Sequence, residues 1–474
     1  MKAVVFGAGQ FYQKRREELL SYEDVERVAV IDNNVDIQGM DVDGVPVLAV
    51  EQITNVEFDV ILLMSTKTKE MKEQLSVLGI DSERIWHWQR LKSVRNKGIF
   101  RFYCGCVPGG SDRKKVLIIS TDLGYNGGTL AAVYAAKALQ KRNYHVVLAA
   151  PGGNQTFIEE MKNDGLNLVI CSAMPYLYQE EKIFAEQFDF VIVNVFQMIL
   201  CAEEISKRKP VLWWIHEPSH LHAPILEQFS DCAKEVNLTS ASIYAVGKIA
   251  QKNFNRYFPG RIQKTLAYGI PDERTTKAGG KENSKVVFAV IGGVNRRKAQ
   301  DIFLKAIGRL EESSKNNAAF WLIGLMEKGD YGNEVRKFAI QESNIKLWGE
   351  MTRKEIQNIY REIDVLVCPS LEDPLPIVVT EAMMYGKACI VSDSVGTADY
   401  IQDGENGFIC KTGDPEHLAE KMRWIIDHRE RLKVIGEKAR KIYEQHFTMD
   451  KFADRLEEAL LDAMYGYEAR LKKK

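Results

Sequence analysis

Residues 115–143, "KVLIISTDLGYNGGTLAAVYAAKALQKRN", constrain the fold more than any other stretch of the chain. An unbroken apolar run ends in a glycine loop, and an alanine-rich segment of high helix propensity follows. A strand that is apolar on both faces belongs inside a parallel sheet covered by helices on each side. The same succession recurs in "KAVVFGAG" before "QFYQKRREELLSY", in "KVVFAVIGG" before "DIFLKAIGRL", and in "DVLVCPS" before "PIVVTEAMMYG". Strands alternating with helices imply parallel sheets with right-handed crossovers, so the fold class is α/β throughout.

Three such units are expected, because 474 residues exceed one ordinary domain. In the first, residues 1–100, Gly7 and Gly9 stand where a dinucleotide fold puts its phosphate loop, and Asp32 where it puts a ribose-binding acid. Tyr12 takes the place of the third fingerprint glycine, and its bulk opposes the close helix–strand packing that glycine permits. The unit reads either as a nucleotide site or as a Rossmann-like module for packing or oligomerisation. "RNKGIFRFYCGCVPGGSDRKK" (95–115) has the composition of a linker. A second unit spans 113–275, joined by the apolar helical segment 449–474, and a third spans 280–448. Two doubly wound units facing each other leave a cleft at the carboxyl ends of their strands, where such sheets bind ligands.

A formal net charge of −1 gives no electrostatic case for a nucleic-acid partner. The opening "MKAVVFGAGQ" is unlike a signal peptide, and "FVIVNVFQMILCA" (190–202) is too short and interrupted to span a bilayer. A cytoplasmic protein is expected, with at most peripheral membrane association through the closing "ARLKKK". Of eight scattered cysteines only Cys104 and Cys106 are close together, which reads as reduced structural thiols and not as a metal site.

The chemistry concentrates in "PSLEDPLPIVVTEAMMYGKACIVSDSVGTADYIQDGENGFI" (369–409). A strand ends at Ser370, a loop carries Glu372 and Asp373, and a helix begins at Pro376, since proline suits a first helical position. The free N–H groups of Ile377 and Val378 then form a site for a diphosphate. Asp373 before the helix and Glu381 within it can reach hydroxyls of the same ligand, a layout suited to a nucleotide-sugar.

From about residue 113 onward the chain resembles a retaining glycosyltransferase of family 4 with the two-Rossmann GT-B fold. The block is similar to that family's E-x7-E signature, with Asp373 first, Glu381 second, and "GENGF" as its usual continuation. The resemblance implies that Asp373 contacts donor sugar hydroxyls, with Glu372 as the alternative, and that Glu381 holds the ribose. "IGGVNRRKAQD" (291–301) resembles the family's glycine loop, so Gly292, Gly293, Arg297 and Lys298 would meet the diphosphate. Gly293 stands where the family often has arginine, and Ala299 where it usually has glycine. "YNGGT" brings Gly127 and Gly128 to donor or acceptor, and Met351 of "IKLWGEM" joins the donor contacts. No metal is expected, because cationic side chains cover the leaving group. The first unit resembles the N-terminal domain of bacterial sugar acyltransferases, which can bind a nucleotide-sugar.

"PVLWWIHEPSHLH" (210–222) fits the H-E-x-x-H pattern of zinc peptidases through His216, Glu217, Pro218, Ser219 and His220. That pattern needs a helix, whereas "PVLWWI" reads as a buried strand and Pro218 interrupts helical continuity. Position 226 is Leu226, where a metzincin would place its third histidine. The resemblance instead puts His216 beside the transferring sugar; it gives His220 and His222 no such place, and they read as loop residues near the acceptor and not as metal ligands. The expected activity is transfer of a sugar from a nucleotide diphosphate donor, UDP-linked above all, to a hydroxyl of a glycan, lipid-linked glycan or glycoprotein in bacterial polysaccharide synthesis. The alternative is a regulatory protein that binds a nucleotide-sugar without turnover.

Overall fold

In the computed structural model, residues 1–65, 68–105, 112–229, 240–274, 284–326 and 329–472 are described. They contain three sheets. The first comprises β1 (Lys2–Phe6), β2 (Glu26–Ile31), β3 (Asp41–Val42), β4 (Val45–Leu48), β5 (Val60–Leu63) and β6 (Ile85–His87), in the order 3-4-2-1-5-6. Every pair is parallel except the β3–β4 hairpin. The second comprises β7 (Arg101–Tyr103), β8 (Lys115–Ile119), β9 (His145–Ala150), β10 (Asn167–Ile170), β11 (Phe190–Asn194), β12 (Val211–Ile215), β13 (Ser242–Ala245) and β14 (Lys264–Thr265). Its order is 14-13-12-11-8-9-10-7. The third comprises β15 (Val286–Ile291), β16 (Ala318–Ile323), β17 (Ile345–Gly349), β18 (Val365–Cys368), β19 (Ala388–Ser392) and β20 (Phe408–Cys410), in the order 17-16-15-18-19-20. β8, β11, β12 and β15 are buried along most or all of their length, as strands covered on both faces must be.

Four local expectations are corrected. The stretch 95–115 is not all linker: Arg101–Tyr103 forms an antiparallel edge strand on β10. The helix expected after Gly9 is two short pieces, Gln10–Gln13 and Arg16–Leu20. Tyr12 does not hold helix and strand apart. It is fully buried, and its hydroxyl reaches Asp43 Oδ2 at 2.7 Å. Gly127 and Gly128 open the helix Gly127–Lys141 instead of preceding it, because the Asn126 side chain caps the Thr129 N–H. Cys106 lies outside the described residues.

Asp32 is turned inward: its carboxylate accepts the Ala8 N–H at 2.8 Å and the Asn34 N–H at 2.8 Å. The acid expected to meet a ribose thus satisfies the loop expected to meet a phosphate.

The chain crosses between the second and third sheets twice. One crossing runs through Ile270, and the other leads into the helix Met449–Leu471, which packs on Gly127–Lys141 and β12. The crossings are bonded to each other: Ile270 N–H donates to the Phe447 carbonyl at 2.8 Å, and the Tyr443 hydroxyl to the Ile270 carbonyl at 3.0 Å. No helix among the described residues is long and apolar enough to cross a membrane.

Candidate active site

Strand order reverses between β8 and β11 in the second sheet and between β15 and β18 in the third. Doubly wound sheets bind ligands at such points, and here the carboxyl ends of both face one cavity of about 1200 Å³. From the third sheet come Gly292, Gly293, Arg297 and Lys298 after β15, Met351 after β17, and Asp373, Pro376, Ile377, Val378 and Glu381 after β18. From the second come Gly127, Gly128 and His216. Every catalytic or donor-contact residue expected for the transfer lines the cavity except Glu372.

Glu372 is a correction. Along extended backbone successive side chains point to opposite sides, so when Asp373 enters the cavity Glu372 leaves it. Its carboxylate accepts the Ser219 N–H at 2.7 Å and the Ser219 hydroxyl at 2.5 Å, and it also takes the Asn253 amide. Ser219 and Asn253 belong to the second unit, so Glu372 clasps the two units together. Pro376 is corrected as well: it is the extended residue before the helix Ile377–Met384, not its first helical residue.

Asp373 is 7% exposed, and Oδ2 receives Lys298 Nζ at 2.6 Å and Arg297 Nη1 at 3.1 Å. Burial pushes this carboxyl up, but the Lys298 and Arg297 charges outweigh it and hold the group below the usual carboxylate range. Ala299, in the place of the family's usual glycine, adopts φ +54°, the conformation that favours glycine.

Glu381 is 2% exposed and is held by Arg353, which also pairs with Glu273 at 3.0 Å, and by the Tyr360 hydroxyl at 2.7 Å. Burial raises its carboxyl, with Arg353 pulling the other way. Arg353 lines the cavity, and sequence reasoning missed it. The signal was "TRKE", a capping box that starts a helix at Arg353.

At the second sheet, His216 is half-buried with its ring against Trp214, and its buried Nε2 makes no hydrogen bond among the described residues. Burial lowers its imidazole to about 3. The neighbouring Glu217, read from the sequence only as part of the peptidase pattern, lines the cavity with a carboxyl that burial raises to about 7. Its Oε1 accepts the Phe196 N–H at 2.7 Å and its Oε2 the His216 N–H at 3.0 Å. Between the loops it joins stands Val195, with φ 133° and ψ 158°. That region is essentially reserved for glycine, and a residue forced into it costs roughly 1–3 kcal/mol.

The H-E-x-x-H segment is not a helix. His216 directly follows β12, Pro218 is extended, and Ser219–Leu221 form a single 3-10 turn. His220 lines the cavity, but His222 is a correction. It begins the helix His222–Gln228, is fully buried, and stacks on Tyr257 with ring centroids 5.5 Å apart. Among the described residues no three His, Cys, Asp or Glu side chains are grouped to hold a metal ion.

Residues 272–442 match the family model "Glycosyl transferases group 1". Residues 1–86 match "C2185-like, N-terminal", a different family from the sugar acyltransferases that the sequence resembles. Among relatives, spore coat protein SA of Bacillus subtilis is 24% identical over 375 residues, 72% of this chain and 98% of the relative. A Campylobacter jejuni enzyme, GalNAc-alpha-(1->4)-GalNAc-alpha-(1->3)-diNAcBac-PP-undecaprenol alpha-1,4-N-acetyl-D-galactosaminyltransferase, is 23% identical over 66% of this chain and 89% of its own length. The crystal structure of Anabaena HepE with UDP and glucose superposes with a TM-score of 0.62 at 18% identity, covering 74% of this chain and all of HepE. The fold is GT-B, preceded by an additional small α/β sheet unit.

Proposed function

We propose that the protein is a retaining, metal-independent glycosyltransferase that moves a sugar from a UDP-sugar to a hydroxyl of a glycan, lipid-linked glycan or glycoprotein in bacterial surface polysaccharide synthesis. The observation that carries this reading is the meeting of Asp373, Lys298, Arg297 and Glu381 in one cavity between two units. The UDP and glucose of the HepE crystals and the activity of the Campylobacter relative support the donor and acceptor classes. We divide the chain into an accessory unit 1–100, an acceptor-side unit 113–275 with the closing helix 449–474, and a donor unit 280–448.

In this mechanism Glu381 takes the ribose and Asp373 the sugar hydroxyls. Lys298, Arg297 and the N–H groups at Ile377 and Val378 hold the diphosphate. As the bond from the anomeric carbon to the phosphate oxygen breaks, negative charge grows on the diphosphate, and cationic contacts that strengthen with it lower the barrier. The acceptor oxygen bonds to the anomeric carbon on the face the diphosphate leaves, and its proton passes to a departing phosphate oxygen. His216 lies beside the transferred sugar.

A thermal-shift panel of nucleotide-sugars, followed by UDP-release assays with and without chelator, tests the proposal. Stabilisation by one UDP-sugar and chelator-resistant UDP release are expected. Binding without release would favour a regulatory protein. Activity lost to chelator and restored by a metal would remove metal independence.

A further inference from the structure

We propose that Glu217 is a positioning residue: its carboxylate ties the end of β11 to the end of β12 and so holds Val195 and His216 as the sugar transfer requires. The inference rests on the reading of the cavity as a transferase site and names a device within it.

The Val195–Phe196 peptide unit is clamped at both ends. Its carbonyl accepts the Trp213 indole N–H at 2.8 Å, and its N–H donates to Glu217 Oε1 at 2.7 Å. Both clamps come from β12 or the residues just after it. A peptide unit held at both ends cannot rotate, so Val195 stays in a conformation it would otherwise leave. The other oxygen of Glu217 takes the backbone of His216 itself at 3.0 Å, so one carboxylate fixes two walls of the cavity. The strand end is anchored further by the Asn194 amide, which donates to the Gly128 carbonyl at 2.9 Å. Val195 thereby faces the glycine start of the helix: a Cβ on Gly128 would come within 3.6 Å of Val195 Cγ1.

The residue type follows from this duty. Two backbone N–H donors need two acceptors, and a carboxyl group presents one on each oxygen in either protonation state, because its hydroxyl oxygen keeps an acceptor lone pair. Glutamine presents one acceptor and one donor, so one buried N–H would lose its partner. The device costs conformational strain, which cavities that orient reacting groups retain.

The test is a double-mutant cycle of Glu217→Gln and Val195→Gly, read by kcat for UDP release from UDP-glucose, by UDP affinity, and by amide exchange at Phe196 and His216. Glu217→Gln is expected to lower kcat by about ten- to a hundredfold through misplacement, with UDP affinity within about twofold of wild type and faster exchange at one or both amides. Glycine adopts the Val195 conformation without restraint, so the double variant should lose little beyond Val195→Gly alone. Multiplicative losses, a parallel fall in UDP affinity, or a wild-type kcat in Glu217→Gln would overturn the proposal. If the wild-type protein bound no nucleotide-sugar, the transferase reading would fall on that result alone. Amide exchange would still report on the clamp, and unchanged exchange in Glu217→Gln would refute it.

Discussion

Lys298 Nζ lies 2.6 Å from Asp373 Oδ2, and Arg297 shares the same oxygen. The cations proposed for the diphosphate and the acid proposed for the sugar therefore hold one another, and a bound diphosphate must compete with Asp373 for them. Asp373→Ala removes the competitor. Its UDP affinity should equal or exceed wild type while turnover collapses, as calorimetric titration beside a UDP-release assay would show. Weaker UDP binding would mean that Asp373 serves the nucleotide.

Glu381→Ala should weaken UDP and intact donor alike. Loss of one charged hydrogen-bonded site is worth roughly 1.5–3 kcal/mol, about one to two decades in affinity. Arg353→Ala should act first on stability, by leaving the Glu381 carboxylate buried without its cation. A fully buried pair loses ~3–5 kcal/mol on such a cut, and the partial exposure of Arg353 reduces this to about 2 kcal/mol. Urea denaturation of Arg353→Ala and Arg353→Lys, both at neutral pH, measures it.

Glu372→Ala should leave UDP affinity intact and open the molecule. The clasp to Ser219 and Asn253 is lost, so small-angle scattering should report a larger radius of gyration, and the KM for the donor should rise. An unchanged radius with a lost UDP site would return Glu372 to the donor contacts.

Glu217 gives stability a pH signature. Its folded carboxyl titrates near 7, above the ordinary value of 4.5, because burial disfavours the charge. Its neighbour His216 stays neutral across this range. The folded state therefore holds a proton that the unfolded chain has released between these values. The stability this confers is complete below about 4.5 and is lost as pH rises through about 7, a change on the order of 3 kcal/mol. Chemical denaturation from pH 5 to 8 should show that slope in wild type and not in Glu217→Gln.

A fragment beginning at Arg113 removes β7 and bares the edge of β10, whereas one beginning at Lys97 keeps it. Both should bind donor, since the cavity lies downstream, but the shorter should aggregate at lower temperature. Light scattering during a thermal ramp compares them.

Much of this was legible in the residues. Runs such as "KVLIIS" and "DVLVCPS" are apolar at every position, a pattern that buried parallel strands impose. Asp373 and Glu381 were legible because the helix between them follows directly from the loop. Other features depend on contacts that no local pattern carries. Arg353 meets Glu381 only because two helices pack together. Neighbouring Glu372 and Asp373 look equivalent until the backbone sends them to opposite sides. Arg101–Tyr103 hides its strand among glycines and charges, since a three-residue edge strand needs only a partner with a free side. Val195 is least legible, for its backbone suits glycine and only the Trp213 and Glu217 clamps keep a valine there.

The bond between Ile270 and Phe447 turns two crossings into a single axle. Two separate tethers would let the units slide, twist or part. Tethers fastened side by side permit mainly rotation about the line they share. Displacement then grows with distance from that line, so a small turn at Ile270 becomes a larger sweep in the parts of the two units that lie farther from it. Because the second tether leads into the helix Met449–Leu471, packed on the second unit, that helix forms half of the bearing.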